Sequence, residues 1–193
     1  STATTTPHTN LTIESNQFIH CEYGVLMQQH TLNLNIVGNH VDANHGSVVT
    51  GRGIHFWGDK VTVANNLIWA KTTQDGITVD ASQTTDQLVL VGNHVFSGRY
   101  GMAVSGGVTT LIANGNYFSG VVTGDFLNKS QAVNWRDGGN NSWNFKAAAP
   151  TVEYWHVGTK VYDTAVAAAG NIGWVCTTAG TPGTWKTWGV VAA

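Results

Sequence analysis

One short pattern recurs five times along this chain and limits its fold more than any other feature. It is apolar-x-apolar-x-x-Asn, carried by Leu11, Ile13 and Asn16; Leu34, Ile36 and Asn39; Val61, Val63 and Asn66; Leu88, Leu90 and Asn93; and Leu111, Ala113 and Asn116. The asparagines are 23, 27, 27 and 23 positions apart. Two positions after each stands an apolar residue: Phe18, Val41, Ile68, Val95 and Phe118. A second series keeps step with the first. Gly24, Gly53, Gly76, Gly101 and Gly124 are separated by 29, 23, 25 and 23 positions, and a short run follows each. A fixed period of this length is the mark of a repeat architecture.

Each cycle therefore holds a strand, an Asn corner, a short strand, a Gly corner and a third strand. The chain is expected to be all-β, a right-handed parallel β-helix of about five coils, with coils about 4.8 Å apart. A jelly roll or sandwich also uses short strands, but it does not require one fixed three-strand order. Leu11/Ile13, Leu34/Ile36, Val61/Val63 and Leu88/Leu90 are expected to point inward. The asparagines are expected to stack at one corner in the left-handed conformation and share side-chain amides between coils. The glycines mark a second corner that needs positive φ or close packing. The 23 glycines against 3 prolines fit a chain turned by Gly and Asn.

The cycle is read over residues 1–128. Residues 129–149 are polar and irregular and are expected to connect, with Trp135 and Trp143 as anchors. From residue 150 to 193 the pattern is of short strands around Tyr162, Trp174 and Trp185, expected as a small antiparallel unit. It is too small to be comfortable alone and is expected to cap the last coil or to need partner chains.

Composition removes several functions. Only 10% of residues are charged, with 9 basic against 11 acidic and a net charge of −2. Phosphate neutralisation needs clustered Lys and Arg, so nucleic acid is not the expected partner. No run of 18 apolar residues is present, so no membrane-spanning helix is expected. Ser1–Asn10 lacks the charged and apolar regions of a signal peptide, and with no initiator Met the chain is expected to be a processed piece of something longer. Cys21 and Cys176 lack metal-ligand spacing and are expected as free thiols. No cofactor and no metal site are expected. His40 and His94 both follow a ladder Asn, which suggests a structural role.

In a solenoid, function sits on outward ladders. Outward positions two and four after the Gly corner, with those just before it, bring Arg52, His55, Trp57, Asp75, Asp80 and Arg99 to one face of coils two to four. Guanidiniums, carboxylates and an aromatic platform suit sugar binding or cleavage. Asp75 and Asp80 are the candidate catalytic carboxylates; Arg52, His55, Trp57 and Arg99 are the candidate substrate-binding residues. Asp75 and Asp80 lie up to about 16 Å apart on one extended strand. A pair across coils, Asp59 with Asp80 or Asp75 with Glu22 or Asp42, suits glycoside hydrolysis better.

The run from Val157 through Lys160, Tyr162 and Asp163, with the run from Gly170 through Trp174, Cys176, Pro182 and Trp185 to Lys186, resembles the C-terminal signature of bacteriophage tailspikes and related β-helical polysaccharide depolymerases. The resemblance implies a homotrimer in an extracellular virion tail, bacterial surface polysaccharide as ligand, and glycosidase or lyase activity. It leaves open that this part only trimerises and binds, with the catalytic groove elsewhere. A pectate-lyase-like lyase or epimerase is a third reading.

Overall fold

A computed structural model of the chain describes residues 8–27, 31–46, 50–79, 85–104, 107–128, 134–139 and 141–192. Coil one is β1 (His8–Glu14), β2 (Gln17–Ile19) and β3 (Tyr23–Leu26). Coil two is β4 (Thr31–Val37), β5 (His40–Asp42) and β6 (Arg52–Phe56). Coil three is β7 (Lys60–Ala64), β8 (Leu67–Trp69) and β9 (Ile77–Val79). Coil four is β10 (Thr85–Val91) and the long β11 (His94–Val104). Coil five is β12 (Val108–Asn114), β13 (Tyr117–Phe118) and β14 (Val121–Asn128). The short β15 (Asn134–Asp137) follows, then β16 (Phe145–Lys146), β17 (Lys160–Asp163), β18 (Asn171–Thr178) and β19 (Thr184–Val190).

The stack is the parallel β-helix that the repeat requires. β1, β4, β7, β10, β12 and β15 form one sheet in that order, and every neighbouring pair is parallel. Leu11, Leu34, Val61, Leu88, Leu111 and Trp135 lie in one register row. A second sheet carries the remaining coil strands, and β11 belongs to both of its rows. The inward residues Leu34, Ile36, Val61, Val63, Leu88 and Leu90 are buried. Residues 134–137, within the stretch expected to connect, add a strand to the coil sheet, and Asn141 extends the ladder by one more step.

The Asn corner differs from expectation in one respect. The left-handed residue is the one before each ladder Asn: Ser15, Gly38, Asn65, Gly92 and Gly115, with φ between 54° and 65°. The turn there directs the next side chain between coils. Each ladder Asn then donates its backbone N–H and its Nδ2 to the Oδ1 of the Asn one coil on. Asn66 reaches Asn93 in this way at 3.2 and 2.9 Å. Nδ2 also donates to a backbone carbonyl of the preceding coil, as Asn93 does to Val63 at 2.8 Å. Asn39, Asn66, Asn93, Asn116 and Asn141 are buried, and this ladder satisfies amides that burial would otherwise penalise.

At the Gly corner the requirement is space. Gly24, Gly53, Gly76 and Gly101 have ordinary φ, but a Cβ on each would overlap Val41, Ile68, Val95 or Phe118. Those are the apolar residues two after the Asn in the next coil. The two repeat series are thus two halves of one packing contact.

The last coil is closed by a different device. Asp137 stands at the row of Ile13, Ile36, Val63, Leu90 and Ala113. Its carboxylate accepts from the Gly139 N–H, Asn141 Nδ2, Trp143 Nε1 and Asn144 Nδ2. Trp143 is fully buried against Phe118 and Phe126, with ring centroids 5.4 and 5.5 Å away. The side chain of Trp135, the other expected anchor, lies outside the described residues. The C-terminal sheet runs β16-β17-β18-β19. It is mixed rather than purely antiparallel, because β16 pairs with β17 in parallel. Trp155, Val161 and Cys176 join it to the same apolar core as the coils. Cys21 and Cys176 are free.

Candidate functional site

The row before the Gly corner places Tyr23 opposite Arg52 on neighbouring coils. Arg52 donates from Nε to Gln74 Oε1 at 2.9 Å, and its Nη1 lies 3.0 Å from His55 Nδ1. A guanidinium only donates, so His55 Nδ1 accepts and a neutral ring carries its proton on Nε2. Arg99 reaches back from coil four to Asp75, with Nε and Nη2 at 2.9 and 2.8 Å from the two carboxylate oxygens. That bond raises the Arg99 pKa above its ordinary value, and the charge of Asp75 adds to it against the opposing effect of burial. Tyr23 lies 5.7 Å from the Arg52 guanidinium and Tyr100 lies 5.5 Å from that of Arg99.

Four of the six expected site residues therefore sit in two linked groups on the face formed by β3, β6, β9 and β11. Arg52 pairs with His55, and Arg99 with Asp75. Both guanidiniums reach toward adjacent residues of coil three, Gln74 and Asp75. Trp57 follows β6 at the end of that strand and is half-buried. Asp80 lies outside the described residues. Asp75 is 7% exposed, and both its oxygens are held by Arg99. Ala103, in the register row of His55 and Thr78, is buried at 1% exposure. There β11 pairs on both sides, with β9 and β14.

A second outward row was anticipated from the sequence only in His40 and His94. His40, Leu67, His94 and Tyr117 follow the ladder asparagines in register. Trp69 and Phe96 stand beside them, stacked at 4.6 Å and 12°. His40 tilts against Trp69 at 5.1 Å, and His94 lies 5.4 Å from Tyr117. His40, Asp42, Asn44, His45 and Trp69 line a shallow open depression. The available signal was the recurrence of aromatic residues one and three positions after the Asn.

The comparisons with known proteins bear on this geometry. A family described as periplasmic copper-binding protein (NosD) matches residues 4–156, which takes in all the described coils. The chain belongs to the NosD family. No curated protein matches it, and no solved structure does. The runs that resemble tailspikes, residues 157–186, lie beyond the NosD match, and no comparison returns a tailspike. No helix among the described residues is long and apolar enough to cross a membrane.

The NosD description names copper, so the donor set of the coils matters. Copper is held by imidazole, thiolate or thioether groups that converge on one point. Among the described residues no three His, Cys, Asp or Glu side chains do so. His20 and His45 come together, but their rings pack on each other at 3.8 Å and 34°. Ring-nitrogen lone pairs lie in the ring planes, so packing of this kind directs them alongside each other. The nearby Cys21 thiol is pushed above its ordinary pKa, chiefly by burial, which disfavours the thiolate that a metal takes. The described residues of this NosD chain do not fit a copper centre.

Proposed function

We propose that this chain is a β-helical polysaccharide-binding segment that works outside the cytoplasm and holds an extended glycan along the Arg52–Arg99 face. The observation that carries the reading is the pair of guanidiniums from coils two and four, each fixed by a partner on coil three and each beside a tyrosine ring. Fixed donors of this kind recognise sugar hydroxyls and acidic substituents, and the adjacent rings offer apolar surface to C–H faces. The backbone ladder sets their spacing, which suits a polymer lying along the axis.

The reading is of binding rather than cleavage by this segment. A general acid or nucleophile needs a carboxylate oxygen free to meet the substrate. Asp75 gives both of its oxygens to Arg99 and so acts by positioning that guanidinium. Within this proposal the tailspike resemblance of residues 157–186 supplies the finer context, a homotrimeric spike that meets bacterial surface polysaccharide.

The test is affinity electrophoresis through gels containing capsular polysaccharide or lipopolysaccharide, with reducing-end assays alongside. The intact chain should be retarded, and Arg52→Ala and Arg99→Ala should each lose most of that retardation without releasing reducing ends. Equal mobility of the parent and both variants would sink the binding reading. Reducing-end release by the parent would replace it with a degrading one.

A further inference from the structure

Where the coil sheet meets the C-terminal sheet there is an open pocket of about 360 Å³. β15 lines it with Arg136, and β17 with Lys160 and Tyr162. Arg136 continues the outward row of Thr12, Asn35, Thr62, Val89 and Ile112. Those five residues are uncharged, so the row turns cationic at its last rung, beside the C-terminal sheet. The backbone of Lys160 is anchored to the turn after β15, its carbonyl accepting from Asn144 Nδ2 at 2.9 Å. Its ammonium lies 4.9 Å from the centre of the Trp188 ring, a contact that steadies a cation without neutralising it.

The chain has only 9 basic residues, and two of them, from separate sheets, share this pocket. Among the described residues the ion pairs are Arg99 with Asp75 and Lys146 with Asp125, and neither Arg136 nor Lys160 takes part in one. The carboxylate that lines the pocket, Asp137, already accepts from four donors of its own turn. Two cations against one committed carboxylate leave the pocket electropositive. Its backbone donors are committed too. Gly138 donates to the Ala113 carbonyl, Gly139 to Asp137 Oδ1 and Gly158 to the Cys176 carbonyl, at 2.8, 2.9 and 2.9 Å. Phosphate sites draw on free backbone N–H groups, whereas here an anion meets side chains alone. A guanidinium, an ammonium and a phenol suit a carboxylate carried on a hydroxylated ring.

We propose that this pocket binds an acidic sugar residue, its carboxylate on Arg136 and Lys160 and its hydroxyls toward Tyr162. Ligand pockets run from about 300 to 1,000 Å³, so this one suits about one or two sugar units rather than a longer stretch. The site uses no residue of the Arg52–Arg99 face. It also needs both parts of the chain, because the coil sheet supplies one cation and the C-terminal sheet the other.

The test is isothermal titration calorimetry of the full chain at low ionic strength, with digalacturonate, its neutral counterpart galactobiose and inorganic phosphate as probes. Digalacturonate should bind at least about tenfold more tightly than either of the others, the scale of one hydrogen-bonded charge. Arg136→Ala and Lys160→Ala should each remove most of that advantage, and Arg136→Lys less of it. Both side chains are exposed, so the variants should melt with the parent. Arg52→Ala and Arg99→Ala should leave digalacturonate binding unchanged. Digalacturonate no tighter than galactobiose, or binding unmoved in Arg136→Ala and Lys160→Ala, would overturn the proposal. Phosphate as tight as digalacturonate would overturn it in favour of a general anion site. Digalacturonate binding lost in Arg52→Ala and Arg99→Ala instead would overturn it and leave the Arg52–Arg99 reading standing.

Discussion

Asp75 and Arg99 meet as a two-point pair across neighbouring coils, carboxylate oxygens to Nε and Nη2 at 2.9 and 2.8 Å. The carboxylate side chain is 9% exposed and that of the arginine 46%. This asymmetry sets the role of each. The buried Asp75 holds the geometry, and the half-exposed guanidinium keeps an outward edge. Asp75→Asn should weaken glycan binding about as much as Arg99→Ala does, because an amide cannot accept at both points. Solvent screens the exposed partner, so the loss of stability should be only about 1 kcal/mol. Affinity electrophoresis and urea melts, read together, separate the two effects. Undiminished binding in Asp75→Asn would mean that Arg99 needs no positioning.

Asn93→Ala should be among the most damaging single changes. It removes the acceptor for the Asn66 N–H and Nδ2 and the donor to Val63 and Asn116, all buried. With about 1–3 kcal/mol for each buried group left unsatisfied, a loss of at least about 3 kcal/mol is expected. Asn16→Ala, at the exposed end, should lose about 1 kcal/mol or less. Equal losses in chemical melts would show that the ladder is not a buried hydrogen-bond system.

The two classes of glycine should respond differently to alanine. At Gly53 a Cβ would overlap the Gly76 carbonyl oxygen and Ile68, atoms that cannot swing aside. Overpacking of this kind costs about 1–3 kcal/mol or more. Gly115 has φ +63° and nothing within 4 Å of a Cβ, so alanine there meets only backbone strain of about 1–2 kcal/mol. Gly115→Asn should be tolerated better than Gly115→Ala, since Asn65 already holds the equivalent corner with φ 54°. Gly53→Asn should be worse than Gly53→Ala. Thermal melts of the four variants check the order.

Glu153 gives the junction with the C-terminal sheet a pH dependence. Its pKa is raised to about 7, first by burial; Asp125 adds to the rise and Lys146 opposes it. The folded state therefore holds a proton that the unfolded chain releases near 4.5. The stability from this group is complete below about pH 4.5 and is lost as pH rises through about 7. His156, which lines the same small cavity, has its pKa lowered by burial and works in the opposite sense, losing stability as pH falls below its ordinary 6.5. The melting temperature of Glu153→Gln minus that of the parent should therefore grow by a few degrees between pH 5 and pH 8, the scale of about 1 kcal/mol for a chain of this size after allowance for solvent screening. A difference independent of pH would show that Glu153 ionises normally in the fold.

The homotrimer is testable through the sheet edge. Among the described residues β19 pairs only with β18, and Val190 at its end is 70% exposed. Light scattering at micromolar concentration should give about three times the chain mass of 20.6 kDa. Val190→Asp should shift the mass toward one chain. A parent that stays monomeric would remove the trimer from the proposed function.

The sequence by itself determined the coil. Its Asn and Gly periods fix the corners, and alternation between them fixes which side chains enter the core, because only one register buries Leu34, Ile36, Val61 and Val63 together. The closing of the last coil was hidden, because Asp137 occupies an inward position normally held by an apolar residue. Its suitability depends on four donors supplied by the turn that follows. The left-handed corner residue was misplaced by one position, although Gly38, Asn65, Gly92 and Gly115 are of the types that favour that conformation and only Ser15 is not. Placing Arg52 and Asp75 on one face was within reach of the repeat. Pairing Asp75 with Arg99 rather than with another carboxylate was not, because rotamers and burial decide which neighbour on the next coil a long side chain meets. Tertiary structure decided that choice, and with it whether Asp75 is a free acid or the partner of a guanidinium.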